Sequence, residues 1–236
     1  LNSGLNSQIQ DFAGLQVLVS AGGTKEPICP VRYIGNRSSG KQGHAIAIEA
    51  ATRGAVVTCV TTEPSQSPQH PHLRVVAVET ADEMAQAVFS QAAKSDLVIM
   101  AAAVADFTPV TKSDKKIKKS EEGLEIHLEP TVDILASLGS SHNGKQILVG
   151  FAAETNDLEE NAKKKLNTKG VDLIVANDVS EANVGFNHDT NAAVLFDSTG
   201  RRTELPLADK RHIAQAILDI ALKLRVDKHR EIGETQ

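Results

Sequence analysis

The stretch that decides the fold is Val17-Leu-Val-Ser-Ala-Gly-Gly23, followed by a polar segment that ends in Gly35-Asn-Arg-Ser-Ser-Gly40. The apolar run stops at two glycines, which is typical of a fully buried strand. After Gly40, apolar residues at helical spacing continue to Arg53, and Gly54 suits the position that follows a helix. The strand, the glycine-rich loop and the helix N-terminus together predict an anion site, because backbone N–H groups without helical partners point outward there.

Two known nucleotide-binding motifs fail in this stretch. Gly35 to Lys41 fits the G-x-x-x-x-G-K spacing of a phosphate loop, but Gln42 stands where that motif has a Ser or Thr hydroxyl for Mg²⁺. The dinucleotide fingerprint G-x-G-x-x-G is absent, because no third glycine follows Gly22 and Gly23. The alternative is an ordinary connection that contains glycines, but a connection of about 20 residues without structure is more often functional in a compact domain.

The composition excludes several classes of protein. The chain has 236 residues, of which 41% are hydrophobic and only 3% aromatic, so its core must be aliphatic. A net charge of −5 disfavours nucleic acid as a partner. No apolar run approaches the about 20 residues that cross a bilayer, and no signal peptide is visible, so we expect no membrane partner and a cytoplasmic location. The cysteines, Cys29 and Cys59, are too few for a disulfide scaffold.

Apolar runs alternate with helical patterns along the chain. Strands are predicted at 55–61, 73–78, 97–104, 146–152 and 171–178, and helices at 81–94, 158–169 and 213–224. The fold class is therefore α/β: a three-layer, Rossmann-like (ribokinase-like), mostly parallel sheet with helices on both faces, plus a small antiparallel extension around 197–200. We expect residues 1–14 to be a linker or tail, 15–226 one domain, and 227–236 a flexible tail.

Other candidate site residues keep two interpretations each. Asp106, after the small residues 101–105, suits a ribose, a Mg²⁺ ion, a base amine or merely the cap of a turn. The lysine segment, residues 112–119, is either a solvated charged loop or a mobile clamp for a triphosphate. Phe151 belongs to the core or stacks on a base. Lys165 and Lys169 share a helix face and either reach one ligand or form an ordinary basic helix end.

These blocks together resemble one family, phosphopantothenoylcysteine synthetase, which is the phosphopantothenate–cysteine ligase part of bacterial bifunctional coenzyme A biosynthesis proteins. The resemblance covers about residues 17–224. It is carried by AGGTKEPICPVRYIGNRSSGKQG at 21–43, AAAVADF at 101–107, KIKK at 116–119 and VGFAAET at 149–155. One departure is Val132, which stands where the family commonly has a proline, whereas Asp133 and Ile134 match.

The resemblance implies a CTP-dependent ligase that joins 4′-phosphopantothenate to L-cysteine through an acyl-cytidylate, with Mg²⁺ accompanying CTP. It also implies a homodimer. FMN is implied only for a decarboxylase domain, which is not in this chain and is expected as a fused N-terminal domain of a longer protein. Three alternatives stay open: an NAD(P)-dependent reductase of Rossmann type, a non-enzymatic nucleotide sensor, and a ligase that uses ATP.

The same resemblance implies the site residues. Two of them are catalytic: Asn36 holds the acyl group during amine attack, and Lys116 stabilises charge in the first step. The residues implied to bind the nucleotide are Gly22, Gly23, Ala102, Asp106, Lys116, Val132, Asp133, Ile134, Leu135, Phe151, Lys165 and Lys169. Those implied to bind the substrate or its phosphate are Arg37, Ser38, Ser39 and Gly40. The metal ligands stay unassigned.

Overall fold

A computed structural model of the chain describes residues 10–119, 123–141, 144–154, 157–178 and 190–234. Its strands are β1 (Gln16–Ala21), β2 (Lys25–Cys29), β3 (Arg32–Gly35), β4 (Val56–Thr61), β5 (Leu73–Ala77), β6 (Leu97–Met100), β7 (Phe107–Pro109), β8 (Leu128–Pro130), β9 (Ile147–Glu154), β10 (Leu173–Asp178), β11 (Thr190–Asp197) and β12 (Arg202–Asp209). Its helices are α1 (Lys41–Thr52), α2 (Ala81–Ala92), α3 (Ile134–Ser140), α4 (Leu158–Lys169) and α5 (Lys210–Glu234).

Eight of the strands form one sheet in the order β12-β11-β10-β9-β6-β1-β4-β5. Six neighbouring strands of this sheet, β10-β9-β6-β1-β4-β5, pair in parallel. The strands β11 and β12 extend the sheet as an antiparallel hairpin. This confirms the predicted mostly parallel sheet with an antiparallel extension. Because the order changes direction on either side of β1, the carboxyl ends of β1 and β6 lie at the position where open α/β sheets bind ligands.

Helices cover both faces of the sheet, as predicted. On one face, α1 and α5 pack over a core that includes Val19, Val149 and Leu195. On the other face, α2, α3 and α4 pack over a core that includes Leu18, Leu148 and Ile174. Neighbouring residues of a strand point to opposite faces, so the continuous apolar runs of the central strands fill both cores.

The connection from β1 to α1 differs from its prediction. A connection without secondary structure was predicted here, but Lys25–Cys29 and Arg32–Gly35 pair as an antiparallel hairpin outside the main sheet. The prediction failed because this hairpin is short and contains Pro27, and its residues do not alternate between buried and exposed: β2 is buried or half-buried throughout, whereas β3 is mostly exposed. A second small sheet pairs Phe107–Pro109 with Leu128–Pro130.

Both ends of the predicted domain are more ordered than expected. Phe12, in the segment predicted to be a linker, is fully buried and lies under the Arg53 guanidinium, 4.7 Å from its ring centroid. Asp11 accepts hydrogen bonds from Arg53 at 2.9 and 2.5 Å. At the other end, α5 continues past Val226, and Lys228 Nζ lies 2.7 Å from Asp172 Oδ1. Among the described helices, none is both long and apolar enough to cross a membrane.

We expect Phe12→Ala to lower the free energy of unfolding by about 3–5 kcal/mol, because it removes a fully buried aromatic side chain. Leu207→Ala is the matched control. Leu207 is 56% exposed, so its truncation should lower the free energy of unfolding by less than about 1 kcal/mol, as is usual at exposed positions. Urea unfolding of the three proteins measures both changes. Equal midpoints for the two variants would show that residues 10–14 do not belong to the folded domain.

Candidate active site

The carboxyl edge of the sheet holds a cavity of about 780 Å³, here called the edge cavity. Three stretches of its wall come from the loops that follow β3, β6 and β8, and further residues come from α4, β9, β10, β11 and α5. The lining residues are Asn36–Gly43, Met100–Asp106, Thr131–Leu135, Phe151–Ala153, Lys165, Lys169, Asn177, Asn191 and Lys210. The structure therefore brings together most of the predicted site residues, although their roles stay predictions.

Gly22 and Gly23 lie behind the cavity and are not part of its wall. Ala103 N donates to Gly22 O at 2.8 Å, and Thr24 N donates to Ala103 O at 3.2 Å. A Cβ atom on Gly23 would lie 2.6 Å from the backbone oxygen of Asn36, which is closer than any stable contact. The two glycines thus allow the loops after β1 and β6 and the residue Asn36 to meet. Their predicted contact with a nucleotide stays untested.

The N-terminus of α1 opens toward the cavity. Gly40 precedes the helix with a φ of 74°, a left-handed conformation that favours glycine, and no side chain caps the helix at this position. A helix N-terminus without a side-chain cap presents backbone N–H groups that suit an anion. Arg37, Ser38 and Lys41 also line the cavity here. This geometry suits an anion at a helix N-terminus, and the binding of an anion there stays a prediction.

Hydrogen bonds from neighbouring strands fix the backbone of the small-residue stretch 101–106. Ala102 N donates to Ser20 Oγ at 3.1 Å, and Ala105 N donates to Thr24 Oγ1 at 2.8 Å. Thr131 N donates to Asp106 O at 2.9 Å and so ties this stretch to the loop before α3. The Asp106 side chain is exposed at the cavity wall. A ligand can approach this backbone closely because its side chains are small.

Two lysines of α4 reach the cavity from the opposite face of the sheet. Lys165 Nζ donates to Phe151 O at 2.8 Å, and Lys169 Nζ forms an ion pair with Asp133. Asp133 also caps α3 by accepting from Ala136 N at 2.9 Å. Burial by itself raises the pKa of the Asp133 carboxyl, but the hydrogen bond from Lys169, the bond from Ala136 N and the charges of Lys169 and Lys165 hold it below its usual value.

The cavity is more positive than the chain as a whole. Five basic side chains line it, and only two acidic ones do; the basic ones are Arg37, Lys41, Lys165, Lys169 and Lys210, and the acidic ones are Asp106 and Asp133. The chain carries a net charge of −5. Because Asp133 is paired with Lys169, the local excess of positive charge favours an anionic ligand.

Lys116 is a further predicted site residue that, like Gly22 and Gly23, does not line the cavity. The lysine segment that carries it is exposed, and two bonds attach it to the β2–β3 hairpin. Ser113 N donates to Ile28 O at 3.0 Å, and Arg32 Nη1 donates to Ile117 O at 2.9 Å. Lys116 is exposed and is not among the residues that line the cavity.

A buried histidine holds the neighbouring loop to α1. His44, one turn into the helix and 5% exposed, places Nε2 3.0 Å from Thr61 Oγ1 and 3.2 Å from Ser67 Oγ. Burial lowers the pKa of His44, and the negative charge of Glu63 opposes that effect only in part. His44 is therefore neutral at neutral pH and ties the end of β4 to the start of α1.

The comparisons with known proteins agree with this geometry. The family model of the DNA/pantothenate metabolism flavoprotein C-terminal domain matches residues 12–224. The chain belongs to this family. It is 45% identical over 205 residues to the coenzyme A biosynthesis bifunctional protein CoaBC of Bacillus subtilis (strain 168), covering 87% of this chain and 50% of that protein. The corresponding protein of Escherichia coli (strain K12) is 42% identical over 227 residues, covering 95% of this chain and 55% of that protein.

A solved structure of the C-terminal domain of CoaBC superposes with a TM-score of 0.77 at 38% identity, covering 92% of this chain and 99% of that one. The chain spans about half the length of the curated relatives it matches. The TM-score shows that the two share the same α/β fold.

Several residues that line the edge cavity were not predicted from the sequence. Gln42 counted only as a departure from the phosphate loop, and neither Asn191 nor Lys210 was singled out. One signal was available for Lys210, because α5 begins with three basic residues at the helix end that disfavours positive charge. For the described residues, no group of three or more His, Cys, Asp or Glu side chains is placed to hold a metal ion.

We expect His44 to make the stability of this domain pH-dependent. The pKa of His44 is lower in the folded protein than in the unfolded chain, where it is about 6.5. The contribution of His44 to the free energy of unfolding is therefore complete above about pH 6.5. It declines as the pH falls below that value, because only the unfolded chain then takes up the proton. Urea unfolding at several pH values from about 7 to about 5 should show a smaller loss for His44→Gln than for the wild type. Parallel curves for the two proteins would contradict a buried neutral His44.

Proposed function

We propose that this chain is the CTP-dependent ligase half of a coenzyme A biosynthesis protein, and that it joins 4′-phosphopantothenate to L-cysteine. The observation that carries the proposal is the positive edge cavity, which gathers Asn36, the α1 N-terminus, Asp106 and the α4 lysines in one place. The family and the names of its relatives, coenzyme A biosynthesis bifunctional proteins, support the same pathway. The choice of CTP over ATP comes from the family resemblance.

In the first step, the carboxylate of 4′-phosphopantothenate attacks the α-phosphorus of CTP. The bond from that phosphorus to the bridging oxygen of the β-phosphate breaks, which gives an acyl-cytidylate and pyrophosphate. This reaction needs positioned cations more than a protein nucleophile, because charge builds up on phosphate oxygens. Lys165, Lys169 and the α1 N-terminus supply fixed positive charge in the cavity, and Lys116 adds its charge once the lysine segment closes over the nucleotide.

In the second step, the amine of cysteine attacks the acyl carbon and CMP leaves. In this proposal Asn36 holds the acyl group. The hydrogen bond that its Nδ2 donates to Val104 O at 3.2 Å supports this role, because it fixes the amide at the cavity wall. The remaining N–H and the Oδ1 atom of the same amide can then bind a donor and an acceptor on the substrate. A fixed amide orients the reacting carbonyl without rearrangement.

Mg²⁺ belongs to this chemistry as the partner of the triphosphate, where it neutralises charge on the phosphate oxygens. The cavity offers oxygen donors of the kind this ion accepts, namely the Asp106 carboxylate and the side-chain amides of Gln42, Asn177 and Asn191. The homodimer, the domain limits 15–226 and the cytoplasmic location stay predictions. So does the closure of the lysine segment, which the position of Lys116 outside the cavity requires.

A pyrophosphate-release assay tests the proposal. The chain is incubated with Mg²⁺ and 4′-phosphopantothenate and with CTP, ATP, GTP or UTP in turn, with and without cysteine. We expect CTP to give one equivalent of pyrophosphate without cysteine and repeated turnover with it. Binding of CTP without release of pyrophosphate under either condition would support a nucleotide sensor instead. A fluorescence change with NADH in place of CTP would favour a reductase.

Asn36→Asp should slow formation of the final product by about 100-fold or more, because a carboxylate of the same size cannot donate to the developing oxyanion. The first step should continue, so the acyl-cytidylate should accumulate in a quenched-flow experiment. Asn167→Asp, at an exposed position on α4, is the matched control and should leave the rates unchanged. Product formation by Asn36→Asp at a near-normal rate would refute the role of Asn36.

Lys116→Gln should abolish the acyl-cytidylate, because the first step then lacks the charge that the closing segment brings. We expect the initial pyrophosphate burst to fall by about 100-fold or more. Lys118→Gln, in the same exposed segment, tests whether any lysine of the segment suffices and should retain the burst. Normal accumulation of the intermediate in Lys116→Gln would show that this lysine has no part in the step.

A further inference from the structure

We infer that the hydroxyl groups of Thr24 and Thr131 position Asn36 for the second step of the reaction. Each hydroxyl holds one side of Ala105, the residue that follows the carbonyl group to which the Asn36 amide is hydrogen-bonded. The inference rests on the proposed function and adds two positioning residues to it. Neither threonine was among the site residues predicted from the sequence.

The peptide group between Val104 and Ala105 is hydrogen-bonded at both of its ends. Its oxygen accepts from Asn36 Nδ2 at 3.2 Å, and its N–H donates to Thr24 Oγ1 at 2.8 Å. A peptide group is planar and rigid, so its C=O and its N–H turn together. The Thr24 hydroxyl therefore fixes the direction of the oxygen that orients the Asn36 amide.

The next peptide group, between Ala105 and Asp106, is held by a hydroxyl from another loop. Thr131 Oγ1 donates to Ala105 O at 2.6 Å. Thr131 N also donates to Asp106 O at 2.9 Å, so Thr131 binds this stretch twice. Both peptide groups that flank Ala105 are thus restrained, and the φ and ψ angles of Ala105 cannot change without loss of a hydrogen bond.

The Asn36 amide depends on a fixed acceptor because its own hydrogen bond is long and exposed. The distance of 3.2 Å lies at the upper end of the usual range for N–H···O bonds, and Asn36 is an exposed residue. Water competes for an amide in such a position. Thr24, in contrast, is fully buried, and Ala105 is 5% exposed, so the bond between them is shielded from water. The buried bond supplies the rigidity that the exposed bond lacks.

The backbone of Asn36 is held by the residue next to Thr24. A Cβ atom on Gly23 would lie 2.6 Å from Asn36 O, so the two backbones are in close contact. A main-chain bond joins the same segment to the loop after β6, because Thr24 N donates to Ala103 O at 3.2 Å. That bond does not involve the hydroxyl, so Thr24→Val should retain it and should fold.

Removal of either hydroxyl should slow the second step more than the first. Thr24→Val and Thr131→Val keep the size of the side chain and lose its hydrogen bond to Ala105. We expect cysteine to consume the acyl-cytidylate about tenfold more slowly in each variant, because a small misplacement of a positioned group is costly in rate. Quenched flow measures this step. The pyrophosphate burst measures the first step, which should stay near the wild-type rate in Thr24→Val.

Three further variants separate positioning from a loss of structure. Thr24→Ser keeps the hydroxyl and should restore the second step. Thr199→Val is the matched control: Thr199 Oγ1 also donates at 2.6 Å, to Asp197 Oδ1, but Thr199 lies between β11 and β12 and does not line the cavity. It should behave as the wild type. In an Asn36→Ala background, Thr24→Val should slow the second step no further, because its effect passes through Asn36.

A wild-type rate of the second step in both Thr24→Val and Thr131→Val would overturn the inference. So would equal losses in both steps that add to the effect of Asn36→Ala, because such losses indicate a general loss of structure.

A measurement without turnover keeps these results separate from a failure of the proposed function. The NMR order parameter of the Asn36 side-chain N–H groups, assigned by their absence from Asn36→Ala, should be lower in Thr24→Val than in the wild type and Thr199→Val. Equal order parameters in the three proteins would overturn the inference. The expected loss of order, in a protein that makes no product from CTP, 4′-phosphopantothenate and cysteine, would leave the positioning of Asn36 in place and refute the ligase.

Discussion

The close packing of backbone around Gly22 and Gly23 is the constraint on which the carboxyl edge of the sheet depends. The end of β1, the loop after β6 and the residue Asn36 all meet at this glycine pair, and a side chain on Gly23 would collide with the Asn36 backbone oxygen. Thr62, from the loop after β4, occupies the place that a side chain on Gly22 would need. These four segments are held in one arrangement because none of them can move away from the others without loss of hydrogen bonds.

That arrangement explains how loops can hold the proposed catalytic groups in position. Asn36 bonds to Val104 O, and the stretch 101–106 is bonded to Ser20 and Thr24 of the neighbouring segment. A rigid framework of this kind positions polar side chains without the entropy cost of ordering them during each turnover. The helices then supply charge from both faces of the sheet: α4 carries Lys165 and Lys169, and α1 and α5 bring their N-termini from the other side.

The parts of the fold that the sequence predicted are those whose side chains repeat a simple pattern. The buried parallel strands are continuous apolar runs, and α2 has a capping box between Thr80 and Glu83 that was visible as spacing. The β2–β3 hairpin has neither signal. Phe12 was missed because one aromatic residue in a polar stretch carries no periodicity, although it packs beneath Arg53.

The candidate site was predictable where the contributing residues are close in sequence and lie at strand ends. Asp106 follows the apolar run of β6 and Phe151 lies near the end of another apolar run, and the parallel sheet places such ends on one edge. Asn191 and Lys210 could not be found in this way, because the antiparallel register of β11 and β12 brings them to the cavity from distant positions in the chain. Lys116 is the opposite case: the family resemblance of its segment predicts a role in the site, but the residue lies outside the cavity.

The most direct test of the account is a crystal structure of the chain with CTP and Mg²⁺. The account predicts the nucleotide in the edge cavity, with its triphosphate beside the N-termini of α1 and α5 and its base toward α3. A nucleotide bound at another surface, with the edge cavity filled only by water, would contradict the claim that the carboxyl edge of the sheet is the active site.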